Sequence, residues 1–229
     1  MSERFLFEEE IGNESTVALR DITVKNSFIY LILKRTIDIA GSFLGILLLS
    51  PVFIIVAIAI KVEDPKGKVI FGHKRVGKDG KLFPCLKFRS MFANAEEMKK
   101  NFTPAQKKEY AETFKLKDDP RVTKVGKFIR KTSLDELPQL FNILIGQMTI
   151  VGPRPIVTKE LEFYGEYENI YKSVKPGLTG LWQVSGRSDT TYDERVGLDL
   201  DYVSTRNTFK DIYIVVMTII KVIKREGAC

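Results

Sequence analysis

One histidine and two cysteines are all that these 229 residues contain of the side chains that most often bind transition metals or act as soft nucleophiles. Cys85 and Cys229 build no disulfide framework, and with His73 they match no zinc spacing. Cys85 reads as a small strand hydrophobe, because no histidine or cysteine cluster stands by to activate a thiolate. Cys229 is the last residue and lacks the three positions of a prenylation box. His73, in "FGHKRVG", is given no role. This usage suits a reducing compartment. Internal repeats are missing, as are the spacing of a P-loop or dinucleotide fingerprint and any interleaving of aromatic and basic residues. Those absences argue against solenoids, the common nucleotide folds and nucleic-acid modules.

Acidic residues are outnumbered, 29 to 36, for a formal net charge of +7, which points to an anionic partner. A hydrophobic content of 44% excludes intrinsic disorder, and the length suits one core plus appendages. Charge is absent altogether from Ile39 to Ile60, "IAGSFLGILLLSPVFIIVAIAI". As a straight helix this run would be about 33 Å long, enough to span a bilayer core. Its apolar residues run all round the helical wheel, unlike those of a soluble core helix. Ser50-Pro51 falls at its midpoint. Pro51 has no N–H for the Leu47 carbonyl, so a bend is expected there, with Ser50 partly satisfying that carbonyl. Both flanks are basic: Arg20, Lys25, Lys34 and Arg35 before, Lys61, Lys66, Lys68, Lys74 and Arg75 after. A single crossing normally leaves one flank poorer in Lys and Arg. A re-entrant helix-break-helix and a kinked crossing both stay open on these grounds.

Around this segment the chain reads as a leader, 1–33, a membrane helix, 34–61, and one domain, 62–229. The leader contributes no recognisable chemistry. Two β-prone runs flank Asp79-Gly80 and predict a hairpin. The stretch "FANAEEMKKNFTPAQKKEYAETFKLKDD" predicts surface helix broken at Pro104. Val122, Val125, Phe128 and Ile129 fall at helical spacing. The segments "GPRPI" and "KPGLTGLWQVSGRS" predict loops. "FKDIYIVVMTIIKVIKREG" is too short to span, and suits a core helix or an interfacial one with Lys221, Lys224 and Arg225 toward headgroups. The fold class is thus α+β, mostly helical with a small β-hairpin.

"TSLDELPQLFN", residues 132–142, sets two carboxylates, Asp135 and Glu136, in an apolar stretch. Ser133 and Glu136 fit a capping box at a helix start. Neighbouring helical residues diverge by about 100°, so the pair cannot flank one glycosidic bond as glycosidase carboxylates do. It can share a metal, or act on different atoms of one phosphate. The surroundings favour phosphate: Lys87 and Arg89 in "LKFRSM", Arg130 and Lys131 before the pair, and Arg154 between Pro153 and Pro155. A carboxylate can attack phosphorus once cations neutralise the phosphate oxygens. A non-catalytic membrane adaptor and a metal-dependent membrane phosphatase are the rival readings.

"KRTIDIAGS…LLLSPVF", "FGHKRVGKDGKLFPCLKFRSM", "DDPRVTKVGKFIRKTSLDELPQLFNILIGQMTIVGPRP" and "KPGLTGLWQVSGR" together resemble the bacterial sugar transferases that act on polyprenyl phosphate. These are the monotopic phosphoglycosyl transferases. The resemblance runs from about residue 34 to the end. It implies transfer of a sugar 1-phosphate, of glucose or galactose type, from a UDP-sugar to undecaprenyl phosphate, with Mg2+ and release of UMP. It further implies that Asp135 attacks the β-phosphorus to form a phosphosugar intermediate and contacts the metal. Glu136 would assist, through the acceptor's proton or metal placement. Arg130 would hold phosphate, and Pro153, Arg154 and Pro155 would lie near the nucleotide. Lys87, Arg89 and Asp211 are carried over as further family positions. Ser50-Pro51 would make the membrane helix re-entrant, placing the site on the cytoplasmic face of the bacterial inner membrane. Downstream glycosyltransferases are the implied partners, and nucleic acid is not one. Many relatives carry a multi-span domain before the catalytic unit, so this chain is expected to be a lone catalytic unit.

Overall fold

The computed structural model describes residues 3–9, 16–22, 27–113, 116–186 and 190–224. Lys25, Arg225 and Cys229 lie outside them. In the leader, β1 (Glu3–Glu9) and β2 (Thr16–Ile22) pair antiparallel, Glu3 opposite Ile22. Helices α1 (Phe28–Leu48) and α2 (Ser50–Glu63) follow, bent by 59°. The break has the expected cause. Ser50 Oγ donates to the Leu47 carbonyl at 2.8 Å, the acceptor that Pro51 leaves without a backbone partner. Among the described residues no single helix is long and apolar enough to cross a membrane; the bent pair passes that test together.

Helix α1 is apolar outside and polar inside. Phe28, Ile29, Ile32, Phe43, Leu47 and Leu48 are exposed, as are Ile54, Ile55 and Ile58 of α2. Tyr30, Lys34, Asp38 and Ser42, each four residues apart and so on one face, point at the protein. Asp38 accepts from Thr149 Oγ1 at 2.9 Å and the Ile150 N–H at 2.8 Å. Arg35 reaches the Ile143 and Leu144 carbonyls at 2.7 and 2.8 Å, capping the end of a helix in the domain. Lys34 Nζ donates to the Val151 carbonyl and Asp211 Oδ2, both at 2.8 Å. A helix with an exposed apolar face therefore grips its own domain through hydrogen bonds, which apolar surface alone could not orient.

The hairpin forms as expected: β3 (Ile70–Val76) pairs antiparallel with β4 (Leu82–Phe88), Val76 opposite Leu82. Its turn is a single 3-10 turn, Lys78–Gly80, in which Asp79 and Gly80 adopt φ of 58° and 73°. Those are left-handed values that Asp and Gly tolerate best. The charged stretch becomes α3 (Ala95–Met98) and α4 (Pro104–Thr113), parted just before Pro104. Helix α5 (Lys124–Lys131) is N-capped by Thr123, whose hydroxyl accepts from the Gly126 N–H at 2.8 Å. Val122 lies outside that helix and bridges to Met91.

Beyond α6 (Gln139–Leu144), β5 (Thr149–Val151) and β6 (Gly177–Thr179) pair in parallel, linked through α7 (Glu168–Lys172). The expected loop at "GPRPI" is a loop, whereas the second stretch contains β6 and α8 (Leu181–Ser185). The backbone beside "GPRP" is tight: a Cβ on Gly177 would lie 2.1 Å from the Gly152 nitrogen. The chain ends in α9 (Tyr192–Thr205) and α10 (Thr208–Lys224). Helix α10 is partly a core helix: Ile214 is fully buried, while Phe209, Tyr213, Val216 and Ile220 are exposed. One core cluster gathers Val151, Ile156, Tyr164, Tyr202 and Ile214; a second joins Phe83 and Cys85 of the hairpin to Leu140, Ile143 and Met148. Cys85 is the buried strand hydrophobe expected.

Candidate active site

The carboxylate pair does not start a helix. Ser133 adopts the left-handed conformation, φ 56°, and its side chain makes no capping hydrogen bond. The expected capping box is therefore absent. The physical reason is that Ser133 ends α5, its N–H bonding back to the Arg130 carbonyl at 3.1 Å. Leu134–Glu136 then make one 3-10 turn, and α6 begins only after Pro138. This turn aims both carboxylates at one ammonium group. Lys87 Nζ lies 2.7 Å from Glu136 Oε1 and 3.9 Å from Asp135 Oδ2. Burial raises the Asp135 carboxyl above the ordinary range; Lys87 and Arg130 pull it down, while Glu136 pushes it further up. Arg130 is itself partly buried and donates from Nε to Ser90 Oγ at 2.8 Å.

Lys87 and Glu136 line a narrow cleft whose other walls include Arg75, Cys85, Gln139, Arg154, Pro155 and Gln183. The hairpin register explains three of these. Residues opposite one another share a face, and side chains alternate with period two. Arg75 pairs with Phe83, His73 with Cys85 and Phe71 with Lys87, so one face carries Arg75, Cys85 and Lys87. Arg154 sits over the Trp182 ring at 5.6 Å, and Arg195 at 4.7 Å. The cleft brings Glu136 together with cations on several elements, and the desolvated Asp135 carboxylate lies near its Lys87, a combination suited to chemistry on a phosphate ester.

Comparison with known proteins agrees with that reading. The family model for bacterial sugar transferases matches residues 29–225. The chain belongs to the bacterial sugar transferase family. It is 52% identical over 199 residues to the undecaprenyl-phosphate galactose phosphotransferase of Salmonella typhimurium, covering 86% of this chain and 41% of that one. It is 46% identical over 198 residues to the exopolysaccharide production protein ExoY of Sinorhizobium fredii, covering 85% and 87%. The UDP-glucose:undecaprenyl-phosphate glucose-1-phosphate transferase of Escherichia coli is 41% identical over 221 residues, covering 93% and 44%. The chain thus spans about two fifths of the length of several such relatives and most of the length of ExoY.

Not every residue expected at the sugar transferase site meets the dyad. Arg89 is held by Asp64 at the end of α2, through the Asp64 carboxylate and, at 2.6 Å, its carbonyl. It ties the hairpin to the end of α2. Asp211 on α10 accepts from Tyr30 at 3.0 Å, Lys34 at 2.8 Å and Tyr202 at 2.7 Å. That cluster joins α1, α9 and α10. Pro153 is buried under the loop, its carbonyl accepting from the Gly177 N–H at 2.8 Å, while Arg154 and Pro155 face the cleft. Sequence reasoning missed Arg75, which counts there only as a flanking charge, and with it Gln139 and Gln183. Period-two alternation carried across the hairpin from Lys87 would have found Arg75.

A metal fits this site only in part of its shell. Among the described residues no group of three or more His, Cys, Asp and Glu side chains gathers. Mg2+ commonly takes one or two protein carboxylates and completes its shell with substrate phosphates and water, and the dyad can supply that share.

Proposed function

We propose that this chain transfers a hexose 1-phosphate from a UDP-hexose to undecaprenyl phosphate, releasing UMP, through a phosphosugar ester on Asp135. The observation that carries the reading is Asp135 itself: a largely buried carboxylate near Lys87 and Arg130, with Lys87 and the neighbouring Glu136 lining a cleft that also holds Arg75 and Arg154. Burial makes the carboxylate more basic and hence a better nucleophile, and the two cations keep its anionic form accessible. An Asp135 oxygen attacks the β-phosphorus, the bond to the α-phosphate oxygen breaks, and UMP departs. An oxygen of the acceptor phosphate then attacks the same phosphorus and releases the Asp135 carboxylate. Lys87 stands between the two carboxylates, where it neutralises phosphate oxygens and holds Glu136 in place. Glu136 takes any proton the acceptor phosphate brings. Mg2+, held by Asp135 and the donor's phosphates, would screen their charge and polarise the phosphorus.

The acceptor's isoprenoid tail stays in the lipid while its phosphate sits at headgroup depth. The bent α1–α2 pair, entering and leaving by the cytoplasmic face of the inner membrane, suits that geometry, as do the exposed apolar residues of α10. Single cysteines introduced near residues 20 and 74 should react from the same side of sealed vesicles; opposite sidedness would show a crossing.

The activity is tested in detergent with Mg2+, undecaprenyl phosphate and a panel of UDP-sugars, assaying UMP and UDP separately. UMP from UDP-glucose or UDP-galactose, lost in Asp135→Asn, is the expected result. Release of UDP would mean ordinary glycosyl transfer, and UMP from an N-acetylated donor alone would correct the sugar.

A further inference from the structure

We infer that Arg75 holds the donor's α-phosphate, the one that departs in UMP, and that Glu160 fixes its guanidinium in the wall of the cleft. This rests on the UDP-hexose reading above and assigns a residue to one part of that substrate.

The division of labour among the cations comes from their partners. Lys87 is the cation in ion-pair reach of Asp135 and Glu136, so it serves the phosphorus under attack. Arg75 lines the same cleft but pairs elsewhere: its NH1 donates to Glu160 Oε2 at 3.3 Å. Among the described residues that is the one hydrogen bond its guanidinium makes, so most of a planar fork suited to phosphate oxygens is uncommitted. Glu160 is a shared anchor. Its Oε2 also accepts from the Val157 N–H at 2.7 Å, and its Oε1 lies 3.5 Å from Arg195. One carboxylate thus serves two guanidiniums and cannot satisfy either fully. Burial disfavours the Arg75 charge, Glu160 offsets part of that, and the nearby Arg154 charge repels it. Arg75 and Arg154 line one cleft, and the carboxylate that pairs with Arg75 is shared with Arg195, an arrangement that suits an added anion. A donor bound with its β-phosphate at Lys87 brings its α-phosphate to these arginines.

The test compares UMP with uridine, which differ only in that phosphate, on the full chain purified in detergent. Ligand-observed NMR titrations measure both affinities in the wild type and in Arg75→Gln. The wild type should prefer UMP, and Arg75→Gln should lose on the order of 10- to 100-fold in UMP affinity with uridine unchanged. UMP affinity equal to the wild type's would overturn the assignment. So would parallel loss of UMP and uridine, because Arg75 would then only maintain the fold. Wild-type protein that binds neither ligand would instead remove the nucleotide reading on which the assignment rests. If Arg75→Gln does not yield folded protein, Arg75→Lys replaces it. An ammonium cannot fork two oxygens, so a several-fold loss specific to UMP is expected, and an unchanged UMP preference contradicts the assignment.

Discussion

At the scale of single residues, the site works by placing unlike charges at short range in a partly dry cleft. Lys87 is the residue on which Asp135 and Glu136 converge. Lys87→Met should lower kcat by about 10²–10³-fold, the usual cost of removing one preorganised group that stabilises transition-state charge. Steady-state kinetics with a saturating donor would check it. Asp199 of α9 gives a second residue-scale expectation. It is buried and accepts from Tyr164 at 2.7 Å, and burial pushes its carboxyl up to about 6. Its pKa is higher folded than unfolded, so its favourable contribution is complete below about pH 4 and is lost as pH rises through about 6. Asp199→Asn keeps an acceptor for Tyr164 without the titration. Between pH 5 and pH 7 the melting temperature of the wild type should therefore fall relative to that variant's. A constant difference across that range would exclude the titration.

Residues that announce themselves by type and spacing were legible in the sequence. The acidic pair stands out in an apolar run, and Arg154 stands out between two prolines. Arg75 and Glu160 were not, because an arginine beside a lysine and a glutamate in a mixed stretch look like ordinary surface. Only the hairpin register and the tertiary approach of residues 157–160 bring them to the cleft. Arg89 illustrates the converse, since its proximity to Lys87 in sequence does not carry it to the dyad. It lies two positions further along and is claimed by Asp64.

Elements behave as local chemistry dictates wherever one signal dominates. The Asp79-Gly80 turn, the break at Ser50-Pro51 and the start of α4 at Pro104 all follow from backbone preferences of Gly, Asp and Pro. The capping box failed because two short elements compete for Ser133, and closing α5 prevails over opening a helix. Strands β5 and β6 are three residues each, too short for any periodicity to register. The α5–dyad connection depends on a close approach that only glycine permits: a Cβ on Gly126 would lie 2.0 Å from the Ser90 carbonyl oxygen. Ser90 also receives Arg130, so pushing α5 away would loosen a cation beside Asp135. Gly126→Ala should destabilise the protein by about 1–3 kcal/mol. Thermal unfolding in detergent would measure that, and activity should fall with it, whereas an unchanged melting temperature would mean that α5 yields freely.

For the whole molecule, the distribution of polarity is inverted along α1, with apolar residues outward and a polar stripe inward. Charge counting and the uncharged run at Ile39–Ile60 indicate a membrane but not this stripe, most of which precedes the run. Its members join distant parts of the chain. Lys34 and Tyr202 both donate to the Val151 carbonyl, at 2.8 and 2.9 Å, immediately before the Gly152-Pro153-Arg154 segment. Helix α1, which under the proposed function sets depth in the bilayer, therefore also fixes the loop that carries a cation of the cleft. Under the proposed function, a water-soluble donor and a lipid-bound acceptor would use one aspartate in turn, so that neither waits on the other's binding.

That alternation is the central claim, and a single-turnover experiment tests it most directly. Purified protein is mixed with Mg2+ and a UDP-hexose labelled at the β-phosphorus, with no undecaprenyl phosphate present. The account predicts a burst of about one UMP per protein molecule, with the label retained on the protein at Asp135 and discharged when acceptor is added. UMP that appears only in the presence of acceptor, with no label on the protein at any time, would contradict it.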